Sequence, residues 1–219
     1  MKRPYITVKF AQTLDGRIAA RDGSSKWISS SQSREFAHRL RAQNDAILVG
    51  VNTVLIDDPA LTVRYARGTD PVRLIIDSRL RTPIDSRVVK ETGHSATIII
   101  TTRKASSSKI KKLRSMGVGL IITPFSKDGD IDLKKAVRVL YKRGIRSILV
   151  EGGQKIITSF LSLKMADKVI AIISPKIVGK GIESVGDLGV SNIKGAIKLR
   201  IKRIEKLGGD IIYSANPIR

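Results

Sequence analysis

The chain contains no cysteine. That excludes disulfides, thiolate nucleophiles and cysteine-held metals or clusters. Histidine is nearly as scarce: only His38 and His94 occur. Both read as ordinary surface residues, one in a helix and one in a Gly-Ser-flanked loop. No H-E-x-x-H and no carboxylate cluster with metal spacing is present, so no catalytic metal is expected. Aromatics make up 4% of the 219 residues, too few for the stacking platforms of single-strand nucleic-acid binders. No apolar run approaches the roughly 20 residues of a membrane helix. Met1-Lys2-Arg3-Pro4-Tyr5 leads straight into strand-like sequence, so no signal peptide is expected and a cytoplasmic location follows.

Acidic residues are outnumbered 19 to 41, giving a formal net charge of +22. Such a field attracts polyanions, which makes a basic RNA-binding protein one reading. The cations are spread out, however. Lys109, Lys111, Lys112 and Arg114 fall in one expected helix; Lys134, Lys135, Arg138, Lys142 and Arg143 fall in another. That is the distribution of solvated helix faces.

Strand and helix signals alternate along the chain. Residues 5–11 read as a strand, followed by the turn Leu14-Asp15-Gly16 and a short return at 17–20. Residues 32–43 read as a helix with Phe36, Ala37 and Leu40 on one face and serines ahead of it as caps. Buried strands are expected at 46–50, 72–77 and 96–101. A helix at 107–116 leads to a strand at 119–123. Leu133, Ala136, Val137, Leu140 and Tyr141 then mark a helix ending near Gly144. A strand at 147–150, a helix to about 163 and a strand at 168–174 follow. Residues 178–195 read as a Gly-rich loop. Residues 199–206 and 211–214 read as a terminal antiparallel pair joined at Gly208-Gly209. The pattern predicts one α/β domain over residues 1–219, with a mostly parallel core and an antiparallel C-terminal edge.

Ligands of open α/β sheets sit at the carboxyl ends of strands. Glu151-Gly152-Gly153 falls there, between an apolar strand and a helix. Two glycines admit a ligand close to the backbone, and the helix start offers N–H groups to a phosphate. The G-x-G-x-x-G fingerprint is absent, so an ordinary Rossmann domain is not indicated. Alternation puts Ile6, Val8 and Phe10 on one strand face and Tyr5, Thr7, Lys9 and Ala11 on the other. Periodicity alone favours solvent for Lys9. In a cleft beside Glu151 it would instead form a pair suited to proton transfer. Residues 52–59, with Asp57, Asp58 and Pro59, read as a turn. Trp27 lies in a serine-rich stretch that favours a ring beside a ligand over a core anchor. Ser78 and Arg103 follow two strand ends where hydroxyls precede cations, a pairing suited to a ribose 2′-phosphate.

Taken together, these segments resemble the pyrimidine reductases of riboflavin biosynthesis. The matching stretches are Val8-Lys9-Phe10-Ala11, Leu14-Asp15-Gly16-Arg17-Ile18-Ala19 and Ser25-Lys26-Trp27-Ile28-Ser29. Leu40-Arg41-Ala42-Gln43, Ala46-Ile47-Leu48-Val49-Gly50 and residues 53–64 continue the match. Val150-Glu151-Gly152-Gly153 and Ser174-Pro175-Lys176-Ile177-Val178-Gly179 complete it. The resemblance implies a dihydrofolate-reductase-like fold, NADPH as cofactor (with NADH as the other candidate) and a homodimer. It implies cofactor contacts from Trp27, Thr53, Asp57, Ser78 and the turn at 152–159, through Gly152, Gly153, Gln154, Lys155, Ile156 and Ser159. It implies substrate contacts from Ser25, Arg41, Leu61, Arg64 and Glu151, with Lys9 and Glu151 at the reacting centre. The two-domain bacterial members carry a zinc deaminase with a P-C-x-x-C signature, which a chain without cysteine lacks. A reductase without that domain resembles the stand-alone archaeal and fungal members, and the resemblance implies 2,5-diamino-6-ribosylamino-4(3H)-pyrimidinone 5′-phosphate as substrate. The deaminated pyrimidine, or a pterin or folate, are the same-fold alternatives.

Overall fold

The computed structural model describes residues 2–93, 95–126 and 129–218. His94, expected in a surface loop, lies outside them. The chain divides into two compact units: Met1–Tyr5 with Arg39–Ile148, and Ile6–His38 with Leu149–Arg219. Strands pair mostly in parallel, helices flank them, and an antiparallel pair forms the C-terminal edge.

In chain order the strands are β1 (Tyr5–Thr13), β2 (Arg17–Ala20), β3 (Ala46–Gly50), β4 (Val72–Ile76), β5 (Thr97–Thr101), β6 (Gly119–Ile122), β7 (Ser147–Gly152), β8 (Lys168–Ser174), β9 (Gly181–Glu183), β10 (Leu199–Leu207) and β11 (Asp210–Pro217). The helices are α1 (Ser31–Ala42), α2 (Val51–Asp57), α3 (Arg87–Lys90), α4 (Ser107–Ser115), α5 (Leu133–Lys142) and α6 (Gln154–Ser162).

The first unit is built on β3, β4, β5 and β6, paired in that order and all parallel. Ile47 and Val49 of β3, Ile75 of β4 and Ile99 of β5 share one face by the two-residue period of strands. They pack with Val51 and Val54 of α2, Val88 and Val89 of α3 and Leu113 of α4. Arg73 belongs to the same face of β4 and is fully buried. Its guanidinium donates to the carbonyls of Ala60 (3.3 Å), Glu91 (2.9 Å) and Ser95 (2.5 Å). Burial pulls its pKa down, and the charges of Glu91 and Asp70 oppose that shift. The sequence hides α2, whose residues were expected to form a turn. Only Val51 and Val54 are buried, and one i, i+3 pair in seven residues carries no readable period. A side-chain cap at Asp132, accepting from Lys135 N–H, starts α5, and Gly144, at φ +93°, follows its end.

The second unit is built on β10, β11, β8, β1 and β7, in that spatial order. β1 and β8 are parallel, with Thr7 opposite Lys168 and Thr13 opposite Ser174. Asp167 sets this register: its carboxylate accepts from Ile6 N–H and its own N–H donates to Ile6 C=O. β11 joins β8 antiparallel, and a two-residue turn at Gly208-Gly209 adds β10. The short return at 17–20 does not fold back on β1. It forms a separate antiparallel pair with β9, from the stretch expected to be loop. A three-residue strand in a Gly-rich stretch leaves no alternation to read. His38, expected on the surface, is buried instead. The inward stripe of α1 runs through Ser33, Ala37, His38 and Leu40, so it sits further round the helix than Phe36, Ala37 and Leu40 alone indicate.

Replacing Arg73 would leave three buried carbonyls without their donor and a cavity where the side chain lay. Arg73→Ala should therefore cost about 3 kcal/mol of stability, measurable by urea denaturation.

Candidate active site

Lys9 and Glu151 meet on adjacent strands of the second unit, β1 and β7. Lys9 Nζ lies 3.9 Å from Glu151 Oε2, and the two side chains are 11% and 8% exposed. The spacing is that of an ion pair rather than a hydrogen bond. Lys9 is thus not on a solvent face, against the leaning of periodicity alone. β1 is buried on both faces at Ile6, Thr7 and Val8, and on the face of Lys9 its neighbour Ala11 is half-buried while Tyr5 is exposed.

The chain turns immediately after Glu151. Gly152 sits at φ +140°, a conformation a residue with Cβ strongly resists. Gly153 is the N-cap of α6 and brings no side chain across the helix end. Gln154, Lys155, Ile156 and Ser159 lie on the first turns of α6. Ile156 faces the core, so what it offers a ligand is backbone. Ser159 donates its hydroxyl to Lys155 C=O at 2.7 Å.

Trp27 is 63% exposed in the loop between β2 and α1, which removes the core-anchor reading. The Arg34 guanidinium covers one ring face at 4.4 Å from the centroid. Ser25 is half-buried in the same loop, its carbonyl accepting from Ile28 N–H. Two polar residues that sequence reasoning left without a role hold the neighbourhood. Lys176 donates to the carbonyls of Trp27 (2.5 Å) and Ile28 (3.0 Å). Asp15 accepts from the N–H groups of Val178 and Gly179 and from the Thr13 hydroxyl. Both stand in the matching motifs, but contacts more than 140 residues apart leave no trace in local spacing.

The first unit carries the remaining candidates. Thr53 and Asp57 are four apart on α2, on a side of the helix away from Val51 and Val54. Leu61 sits at φ +56° with its side chain in the hydrophobic cluster, so its backbone is the part a ligand can reach. Arg41 donates to Thr62 C=O at 3.0 Å, and Asp70 accepts from Val63 N–H at 2.6 Å. With Arg73 on Ala60, these bonds fix residues 60–63. Arg64 is exposed beside Tyr65. Ser78 C=O accepts from the Thr102 hydroxyl at 2.6 Å, and Arg103 is exposed one residue further on. Among the described residues no group of three His, Asp or Glu side chains could hold a metal ion. Among the same described residues no helix is long and apolar enough to cross a membrane.

A mostly parallel sheet with an antiparallel edge, and a lysine–carboxylate pair ahead of a glycine turn, define a class. The chain belongs to the RibD C-terminal domain family, whose model matches residues 4–213. Its relatives are more particular. It is 44% identical over 212 residues to the riboflavin biosynthesis protein RibD of Aquifex aeolicus, covering 96% of this chain and 57% of that one. It is 37% identical over 216 residues to the 2,5-diamino-6-ribosylamino-4(3H)-pyrimidinone 5′-phosphate reductase of Methanothermobacter thermautotrophicus, covering 96% of each. A crystal structure from Thermotoga maritima, a diaminohydroxyphosphoribosylaminopyrimidine deaminase/5-amino-6-(5-phosphoribosylamino)uracil reductase, matches with a TM-score of 0.82 and 32% identity. That match covers 99% of this chain and 57% of that one. The chain thus spans just over half the length of the RibD relative from Aquifex.

Asp15 gives the site a measurable acid dependence. Its hydrogen bond from Thr13, then that from Gly179, hold the carboxyl down at about 2, below the ordinary carboxylate range. A folded value below the unfolded one stabilises above the unfolded pKa and is lost as pH falls through the folded one. Asp15→Asn should therefore melt below the wild type at pH 5, and the two melting temperatures should converge toward pH 2.

Proposed function

We propose that the protein reduces 2,5-diamino-6-ribosylamino-4(3H)-pyrimidinone 5′-phosphate to its ribitylamino product, with NADPH, as one cytoplasmic reductase domain over residues 1–219. The observation that carries this reading is the nearly buried Lys9–Glu151 pair directly before Gly152-Gly153. The name of the Methanothermobacter relative, matched over almost its whole length, supplies the substrate.

The residues present suit a dinucleotide. Gly152 at φ +140° and the bare cap at Gly153 let a pyrophosphate approach the start of α6. The exposed ring of Trp27 offers a flat contact, Thr53 and Asp57 share a helix face, and Ser78 with Arg103 suits a 2′-phosphate. When bound, the nicotinamide supplies a hydride for C1′ of the ring-opened substrate. Ring opening needs a proton on the ring oxygen while the nitrogen gives one up to form the imine, and hydride addition at C1′ returns one to that nitrogen; Lys9 and Glu151 hold and pass these protons. Arg64 forks onto the substrate phosphate. Arg41 steadies the segment carrying Leu61 and Arg64 through its bond to Thr62, and Ser25 lends a hydroxyl.

A second reading has its own support: the 44% relative is a RibD, and the Thermotoga protein is named a uracil reductase. Following the loss of NADPH absorbance with the diamino compound and with its deaminated counterpart, then repeating with NADH, compares the substrates and the donors. No turnover of either pyrimidine would overturn the function. Within that assay, Lys9→Met and Glu151→Gln should each lower kcat about 10²-fold or more. NADPH affinity should hold, and the double mutant should be no worse than the poorer single one. Melts that drop while kcat per folded molecule stays constant would mark the pair as structural.

A two-fold homodimer closed by the C-terminal strands goes with this reading. β10 ends the strand order, and Ile201 and Ile204 on it are 54% and 57% exposed. Two exposed isoleucines among the charged residues of an edge strand offer a partner apolar contacts beside free backbone groups. Light scattering at micromolar concentration should show a dimer for the wild type and a monomer for Ile204→Lys.

A further inference from the structure

Trp27 stands where nothing regular holds it. It lies between the end of β2 and the start of α1, in a loop of turns, with most of its ring in water. A ligand-binding ring placed this way must be fixed by something else, or its ordering is charged against affinity. The Arg34 guanidinium steadies one face. The main chain at Trp27 and Ile28 is held by Lys176, whose ammonium caps both carbonyls together, while further along the loop Arg34 donates to Ser29 C=O and Asp210 accepts from Ser30 N–H. A lysine has three donors on a compact head, so it can serve two adjacent carbonyls at once.

Lys176 is itself anchored. Its carbonyl accepts from Leu14 N–H at 2.8 Å, and its own N–H donates to Ser174 C=O at 2.8 Å. Two residues on, the Asp15 carboxylate takes the N–H groups of Val178 and Gly179, the latter at 2.6 Å. Leu14 and Asp15 directly follow β1, the strand of Lys9. The segment after β8 is thus pinned to the end of β1 and reaches from there to the tryptophan loop.

We propose that Lys176 is a positioning residue that fixes Trp27 for the nicotinamide cofactor; this rests on the reading of Trp27 as a cofactor contact. Lys176 is exposed, so its removal lets water replace it at both carbonyls with little loss of stability. What changes is the order of the loop. Trp27 is the sole tryptophan of the chain, so intrinsic emission reports this loop alone.

The test compares wild type, Lys176→Met and Lys176→Arg. Three readouts are taken: acrylamide quenching and anisotropy of Trp27, energy transfer from Trp27 to added NADPH, and steady-state kinetics. Lys176→Met should raise quenching and lower anisotropy. It should raise KM for NADPH about tenfold, with kcat at saturating cofactor within about twofold and the melting temperature within about 2 °C of wild type. Lys176→Arg should restore most of the lost affinity. Unchanged quenching and anisotropy in Lys176→Met would overturn the proposal, as would a mobile Trp27 with unchanged KM. If NADPH leaves wild-type Trp27 emission untouched, the cofactor reading of Trp27 fails and takes this proposal with it. If wild type and Lys176→Met respond with equal affinity, only Lys176 loses its role.

Discussion

A lysine withdrawn from water on β1 dictates what must stand beside it. An unpaired charge so placed costs several kcal/mol, which is comparable with the whole margin of roughly 5–15 kcal/mol by which a domain is stable. Glu151 meets that demand from the neighbouring strand, β7. The pairing also constrains register. A slip of one residue in β7 would turn Glu151 to the opposite face and bring Val150 or Gly152 to Lys9. The same slip would move the glycine turn off the strand end. One electrostatic requirement therefore fixes both the Lys9–Glu151 pair and the place of the glycine turn that follows it.

Within each unit, loops are ordered by charges aimed at the main chain rather than at each other. In the second unit Asp15 takes two N–H groups and Lys176 caps two carbonyls. In the first unit Arg73 holds three carbonyls, Arg41 holds Thr62 and Asp70 holds Val63. Asp45 likewise accepts from the N–H groups of Arg146 and Ser147. A backbone dipole satisfies a charge without needing a second one, and it leaves the loop surface open. That suits segments which must be rigid yet reachable. It also explains how Leu61 keeps φ +56°: residues on both sides of it are tied down by side chains from elsewhere.

Long amphipathic or wholly apolar segments were legible in the sequence. α5, β8 and the β10–β11 hairpin stand close to where their patterns place them. The short elements were not. α2 buries two residues and β9 is three residues long, so neither carries a period. The partner of β2 was illegible for the same reason. Within the candidate site, the glycine pair could be read as the turn from strand to helix, and Gly152 at φ +140° makes that turn. The placement of Lys9 could not, since alternation identifies its face but not what covers that face. Lys176 and Asp15 act across more than 140 residues, and only the parallel pairing of β1 with β8 brings their segments together.

The charge of +22 fits this picture better than an RNA-binding one. At physiological salt a surface charge acts over about 8 Å, so cations spread along α4 and α5 do not sum into one strong field. Base recognition also needs open aromatic faces, and several rings here are already partnered. Arg34 lies over Trp27, Lys104 over Phe125, Arg146 over Tyr141, and Arg64 near Tyr65. A ring with a cation on one face has one face left, which serves a single flat ligand but not a stack of successive bases. The cations of α4 and α5 then act as solubilising charge. Under the proposed function, the positive groups that would meet a phosphorylated reactant are the few beside the candidate loops, and the net charge of the chain does not report them.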